Sequence, residues 1–204
     1  MGVQGSSEGE RDWILAARNG DLNAFERLVA AYTRPIYNLC YRMLGDPHEA
    51  EDATQEVFLR IYRRLHAYDP AHRPASWILS IAAHYCIDRI RARRPVLPLE
   101  DVHPEPQTPE EARPDALVER QEQEACLREA LGQLKPEERA VLILYYWHER
   151  SCEEIASILG LQPGTVRVRL HRARLRLAEL LKPHLLAGAL NGRDPSASGG
   201  GHDL

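Results

Sequence analysis

No stretch of this 204-residue chain approaches the roughly 20 apolar residues that a membrane-spanning helix needs. The first residues, MGVQGSSEGERD, lack the basic-then-apolar order of a secretory signal. Both absences lead us to expect a cytoplasmic protein without membrane insertion. The four cysteines, Cys40, Cys86, Cys126 and Cys152, are scattered and include no CxxC pair. His148 and Cys152 stand four apart, but two ligands do not make a zinc site. The cysteines therefore read as reduced, small apolar residues. No segment alternates like a strand and no repeat recurs, so the fold class expected is all-α. No Walker motif or glycine-rich phosphate loop is present, so nothing implies nucleotide hydrolysis. No catalytic set, cofactor or metal is expected.

Basic excess is missing as well. The formal net charge is −4, which looks wrong for a partner of nucleic acid. The average misleads because charge is segregated. Glu100 to Glu124 holds nine acidic residues and two arginines, whereas basic residues gather in Arg89–Arg94 and Arg167–Lys182. Local potential, not the total, steers a polyanion.

What is present divides into two helical units. Residues 1–11 are polar and Gly/Ser-rich, which predicts disorder. Residues 12–94 form the first unit. Trp13–Arg18 predicts a short helix, and Asp21 can cap the next, which carries Phe25, Leu28 and Val29. Pro35 predicts a kink or break. Asp46-Pro47-His48-Glu49 opens a further helix with cap, proline and acid in order. That helix runs to about Leu65, with Ala50, Ala53, Val57 and Ile61 on one face. Asp52, Gln55, Glu56 and Leu59 lie on another. This second face suits a partner surface, and it equally suits plain solvated polarity with one stray leucine; periodicity does not choose between them.

A Pro-punctuated loop, Tyr68–Pro74, precedes a helix from Ala75 that carries Trp77, Ile78, Ile81, Ala82, Tyr85, Ile87 and Ile90. It ends in Arg89, Arg91, Arg93 and Arg94. Aromatic groups beside a basic helix end suit unpaired bases and phosphates. They also suit a core helix whose arginines favour a negative helix C-terminus. Tyr85 reads as core, and Trp77 fits either account. Residues 95–116 hold six prolines and many acids, as an extended linker does. Residues 117–182 form the second unit, and 183–204 decay into a Gly/Ser-rich tail expected to be disordered.

The second unit contains the most informative stretch, Ser151–Lys182. Ser151 can cap a helix, with Glu154 completing a capping box. Gly160 suits the helix end and Pro163 the first turn of the next. On that next helix Val166, Leu170, Ala173 and Leu177 share one face; Arg167, Val168, His171 and Arg172 share the opposite one. A capped helix, a tight turn and a two-faced basic helix together predict a helix-turn-helix whose second helix enters the major groove.

Three blocks then fall in a telling order: GDPHEAEDATQEVFLRIYRRL, ASWILSIAAHYCIDRIRARR and LKPEERAVLILYYWHERSCEEIASILGLQPGTVRVRLHRARLRL. Over about residues 20–182 the chain resembles a sigma-70 family factor of the extracytoplasmic-function group. The resemblance implies a transcription initiation subunit that binds core RNA polymerase and promoter DNA. It implies that Asp52, Gln55, Glu56 and Leu59 contact the beta-prime clamp helices, and that the second unit meets the beta flap. Trp77, His84, Arg89, Arg91, Arg93 and Arg94 would serve the minus-ten element, and the Ala67–Ala75 loop would take a flipped base. Arg167, Val168, His171, Arg172 and Arg174 would serve the minus-thirty-five element. An anti-sigma protein is a further partner of the kind such factors have. The flexible linker would leave the spacing of the two units adjustable until both dock. His84 stands where this family often has asparagine, and Val168 where many members have serine.

Two rivals make different predictions. A helix-turn-helix regulator acting without polymerase leaves the Asp46–Leu65 block and the basic Ser76–Arg94 helix unexplained. A metal-dependent bundle enzyme, suggested by His48, Glu49, Glu51 and Asp52, would need a Glu-x-x-His pair on facing helices. The sequence has no such pair, and acids are favoured in a first helical turn in any case.

Overall fold

Caps and breakers set the helix boundaries in the computed structural model, which describes residues 7–93 and 115–191. Among the described residues the elements are α1 (Ser7–Arg18), α2 (Leu22–Leu44), α3 (Pro47–Arg63), a 3₁₀ turn (Leu65–Ala67), α4 (Pro74–Arg93), α5 (Asp115–Gly132), α6 (Pro136–Tyr146), α7 (Cys152–Leu159) and α8 (Pro163–Asn191). No strand occurs among them. The Asp21 carboxylate accepts from the Ala24 N–H at 3.2 Å, and Asp46 accepts from the Glu49 N–H at 2.8 Å. Gly45 ends α2 at φ 83°, a conformation that glycine adopts without strain.

Three expectations need correction. Residues 7–11 are helical rather than disordered. Glu8 and Glu10 sit in the first turn of α1, where acids suit the helix dipole, and Glu10 accepts a 2.8 Å bond from the Tyr32 hydroxyl. Of the kink or break expected at Pro35, the break does not occur, because α2 passes through it. Tyr32 and Ile36, on either side, are buried, and their packing outweighs the lost backbone bond. Residues 183–191 extend α8 beyond Pro183, in a run of leucine and alanine with high helix propensity. Residues 1–6, 94–114 and 192–204 lie outside the described residues.

Helices α1–α4 form one bundle and α5–α8 a second. They do not stand apart. Helix α4 packs on α6 and α7, while α2 packs on α5 and α6, so a single apolar core runs through both units. The two units are thus packed together in this chain, whatever spacing the linker would allow when they dock. The reason is visible in α4. Ile78, Leu79, Ile81, Ala82, Ala83, Tyr85, Cys86 and Ile87 are all buried, and they point around most of the helix circumference. A helix apolar on nearly every side needs partners on more than one side. Cys40 and Cys86 meet in the first bundle as free thiols, sulfurs 3.6 Å apart. The hydrogen bond to Cys40, with burial, holds the Cys86 thiol well above its usual range.

Arg139 of α6 fastens the joint. It is only 6 % exposed, and its guanidinium donates to the carbonyl oxygens of Met43, Gly132 and Leu134. Met43 lies in the last turn of α2, and Gly132 ends α5. Helix C-termini leave carbonyls without intrahelical donors and carry partial negative charge. A buried cation is therefore placed where two helix ends converge on it.

Candidate nucleic-acid interface

The helix-turn-helix forms as its residues predict. The Ser151 hydroxyl accepts from the Glu154 N–H at 3.1 Å, and the Glu154 carboxylate accepts from the Ser151 N–H at 3.0 Å. Gly160 adopts φ 64° at the end of α7. Val166, Leu170 and Ala173 of α8 are buried against the unit. Arg167, Val168, His171 and Arg172 are exposed together on the outer face, with Val168 at 51 %. The Arg167 guanidinium reaches back to Glu153 at 2.7 Å. Arg174 is set apart from this group. Its guanidinium lies over the Tyr145 and Tyr146 rings, 5.0 and 5.4 Å from their centres. It braces α8 on the end of α6, the geometry of a cation on an aromatic face.

The second candidate surface runs along α4 and its preceding loop. The Tyr68 hydroxyl donates to the His72 carbonyl at 2.8 Å and its ring meets Trp77 at 5.1 Å, so the loop is tied to the helix. Trp77 is half-buried, and Tyr85 is core, 9 % exposed. A small pocket of about 230 Å³ opens here, lined by Asp69, His72, Trp77, Ser80 and, from α7, Ser157. His84 is exposed on the same helix. The arginines at the helix end are engaged within the protein. Arg89 donates to the Tyr85 hydroxyl at 3.1 Å, Arg91 pairs with Glu137 of α6, and Arg93 pairs with Glu49. Arg94 lies outside the described residues.

Two contacts that the sequence reading missed cross between the units here. Arg91 reaches Glu137, and Arg73 reaches Glu154 at 2.9 Å. Burial alone would raise the Glu137 carboxyl. Its backbone hydrogen bond and Arg91 outweigh burial and hold it below the usual range. Arg42 stacks on Trp147 at 4.5 Å. A cleft of about 1070 Å³ lies beside this joint, lined by Tyr32, Arg34, Arg73, Trp147, His148 and Arg150. Burial, with Arg150 and Arg42 nearby, lowers His148 to about 4, so the ring is neutral. No pairwise spacing in the sequence could have matched Arg73 to a glutamate 81 positions away.

On α3, Ala50, Ala53, Val57 and Ile61 are buried. Asp52 and Gln55 are exposed, Leu59 is 50 % exposed, and Glu56 is half-exposed. The hydrogen bond from Arg60, 2.9 Å, holds the Glu56 carboxyl below its usual range. The apolar surface continues beyond Leu59 to Tyr62, whose ring meets Phe25 edge-on at 5.0 Å, a continuation the sequence reading did not include. The four α3 side chains thus form one accessible face on the side away from the core.

Comparison with known proteins agrees with this layout. Residues 28–96 match the family described as Sigma-70 region 2, and residues 124–177 match Sigma-70, region 4. The chain is 36 % identical over 177 residues to the ECF RNA polymerase sigma factor SigW of Bacillus subtilis (strain 168), across 83 % of this chain and 95 % of that one. It is 34 % identical over 171 residues to the RNA polymerase sigma factor CarQ of Myxococcus xanthus, across 80 % and 92 %. Among solved structures, CnrH in complex with the cytosolic domain of CnrY is similar at a TM-score of 0.64 and 25 % identity, covering 86 % of this chain and 98 % of that one. With both regions in order and the curated relatives spanned almost end to end, the chain belongs to the sigma-70 family of RNA polymerase sigma factors, in its extracytoplasmic-function group.

Proposed function

We propose that this chain binds core RNA polymerase and directs it to promoters that carry a minus-ten and a minus-thirty-five element. The observation that carries the reading is the presence, in one chain, of an exposed acidic and leucine-bearing face on α3 and an exposed basic reading face on α8. Asp52, Gln55, Glu56 and Leu59 supply the contact with the beta-prime clamp helices. Arg167, Val168, His171 and Arg172 read the minus-thirty-five element. Val168 offers a thymine methyl an apolar contact and no hydrogen bond. Trp77, His84, Arg89, Arg91 and Arg93 serve the minus-ten element, and the α4 and loop side of the pocket, around Trp77, receives an unpaired base once α7 has moved off it. Arg174, exposed and seated on the Tyr145 and Tyr146 rings, joins the DNA-facing residues of α8, and the exposed Tyr146 and Leu175 meet the beta flap.

The joint between the units bears on how binding proceeds. Arg91 and Arg73 are paired with glutamates of the second unit, and α7 lies along α4. Promoter phosphates must replace Glu137 and Glu154 at these arginines, so the units part as the factor docks on polymerase. Two modest sites on one chain then gain affinity through effective concentration. CnrH was solved bound to the cytosolic domain of CnrY, and we include an anti-sigma protein among the partners of this chain.

Run-off transcription from a randomised promoter library, with core polymerase alone and with this protein, tests the reading. Sequence-selective initiation that needs both supports it. Specific DNA binding without any association with core, in a preparation that responds to another sigma factor, would favour a regulator that acts without polymerase.

A further inference from the structure

An acid three residues after a helix cap can reach back to the cap's own N–H and close a capping box. Glu49 stands at that place after Asp46, and Asp46 caps α3 through the Glu49 N–H. The Glu49 carboxylate does not close the box. It turns to the end of α4 and pairs through Oε1 with Arg93. Its other oxygen, Oε2, is shielded from solvent and accepts no hydrogen bond. Arg89 precedes Arg93 by four residues, so the two share a face of α4. The Nε of Arg89 is shielded as well and has no acceptor. The hydrogen bond to Tyr85, with the charges of Glu49 and Asp52, raises the Arg89 guanidinium above its usual range. The Arg93 and Glu49 side chains keep 41 % and 31 % of their exposure, so this pair stands at the surface.

We propose that Glu49 is a built-in counter-ion that takes the place of a DNA phosphate at Arg93 and so holds down the affinity of the minus-ten surface. This rests on the promoter-binding reading above. Carboxylate and phosphate are rivals for a guanidinium. Glu49 is fixed in the first turn of a helix on the same unit, so it competes without having to diffuse. It also differs from Glu137 and Glu154. Those two leave with the second unit, whereas Glu49 remains beside Arg93 when the units part. Its effect therefore persists in the polymerase-bound factor.

The test is a fluorescence anisotropy titration of a promoter fragment, selected by run-off, with core polymerase and the full chain over a series of salt concentrations. The proteins compared are wild type, Glu49→Gln, Arg93→Gln and the double variant. Glutamine keeps the shape of the side chain and removes its charge. Glu49→Gln should tighten binding by about two- to fivefold, the scale of an exposed ion pair. The gain should be alike on all minus-ten sequences, because a phosphate contact carries no base information. The slope of log K against log salt should steepen by about 0.7–0.9, one phosphate. In wild type the cation that a released Glu49 takes up offsets the one that the phosphate gives off. In the Arg93→Gln background the same substitution should gain little. Unchanged or weaker binding by Glu49→Gln would overturn the proposal. So would an equal gain with and without Arg93, which would make Glu49 one negative charge among others. Loss of the helical circular dichroism signal in Glu49→Gln would also overturn it, by making Glu49 a support of the bundle. Wild type that binds neither core nor promoter DNA, with core active toward another factor, would instead overturn the sigma reading, and this proposal with it.

Discussion

Replacing Arg139 by methionine is the most direct trial of how the joint is held. The guanidinium is buried and donates to three carbonyl oxygens, those of Met43, Gly132 and, at 3.4 Å, Leu134. Methionine fills similar space but donates nothing. Orphaning a buried acceptor costs about 1–3 kcal/mol, so two close carbonyls and a distant one place the loss near 3 kcal/mol. Against this, the variant no longer dehydrates a cation, a gain that sometimes equals what a buried charge contributes. In the variant the three carbonyls lose their donor outright. We expect Arg139→Met to lower unfolding free energy in urea by about 3 kcal/mol, roughly a hundredfold in the equilibrium. Because Met43 belongs to the first unit and the other two carbonyls to the second, small-angle scattering should also show a larger radius of gyration under native conditions. Unchanged or raised stability, with an unchanged radius, would refute the reasoning. It would mean that dehydration cancels the bonds and that apolar packing alone holds the units together.

Other outcomes follow from single residues. Glu149 holds φ 52°, in the left-handed region, so Glu149→Gly should raise stability by about 0.5–1 kcal/mol and the Tm by a few degrees in calorimetry. His148 stays neutral in the fold down to about pH 4, whereas the unfolded chain takes up its proton near pH 6.5. Between those values the unfolded state binds more protons, so stability rises with pH through the window and is level above it. The contribution lost on going from pH 7 to pH 4 is about 3 kcal/mol at most, and a urea series comparing wild type with His148→Gln should show the difference confined to that window. Reversing charge with Asp52→Arg and Glu56→Arg should abolish co-elution with core polymerase while leaving the circular dichroism spectrum unchanged; retained association would remove α3 from the interface. Arg172→Ala should weaken minus-thirty-five binding by about 1–3 kcal/mol in fluorescence anisotropy, and an equal loss on unrelated DNA would make it a phosphate anchor.

The parts most legible in the sequence were those governed by neighbours in the chain. The Ser151 and Glu154 capping box, the Gly160 stop and the two faces of α8 follow from spacings of three or four residues. The core face of α3 follows from the same periodicity. The joint between the units did not, because its contacts pair residues far apart, such as Arg73 with Glu154 and Arg139 with Met43. One signal was available: α4 is apolar on almost every side, more than a single bundle can cover. Arg174 shows the opposite limit. Its position on α8 matches a basic reading helix, and its exposed guanidinium also lies over Tyr145 and Tyr146, about thirty residues earlier, a contact that local spacing does not announce. The composition of residues 7–11 and 183–191 predicted disorder because it says nothing of the Tyr32 hydroxyl that meets Glu10, or of a helix already under way before Pro183.

The burial of α4 also limits where its sequence can change. With neighbours on most of its circumference, this helix has few positions whose side chains can be exchanged without disturbing packing. Ser80, His84 and Asp88 are among them. A library varied at these three positions alone should keep a high share of folded members while spanning donors, acceptors and apolar groups on this strip of the surface. If α4 meets promoter DNA as proposed, factors of altered target choice could be selected from one short strip of a helix whose remaining residues stay untouched.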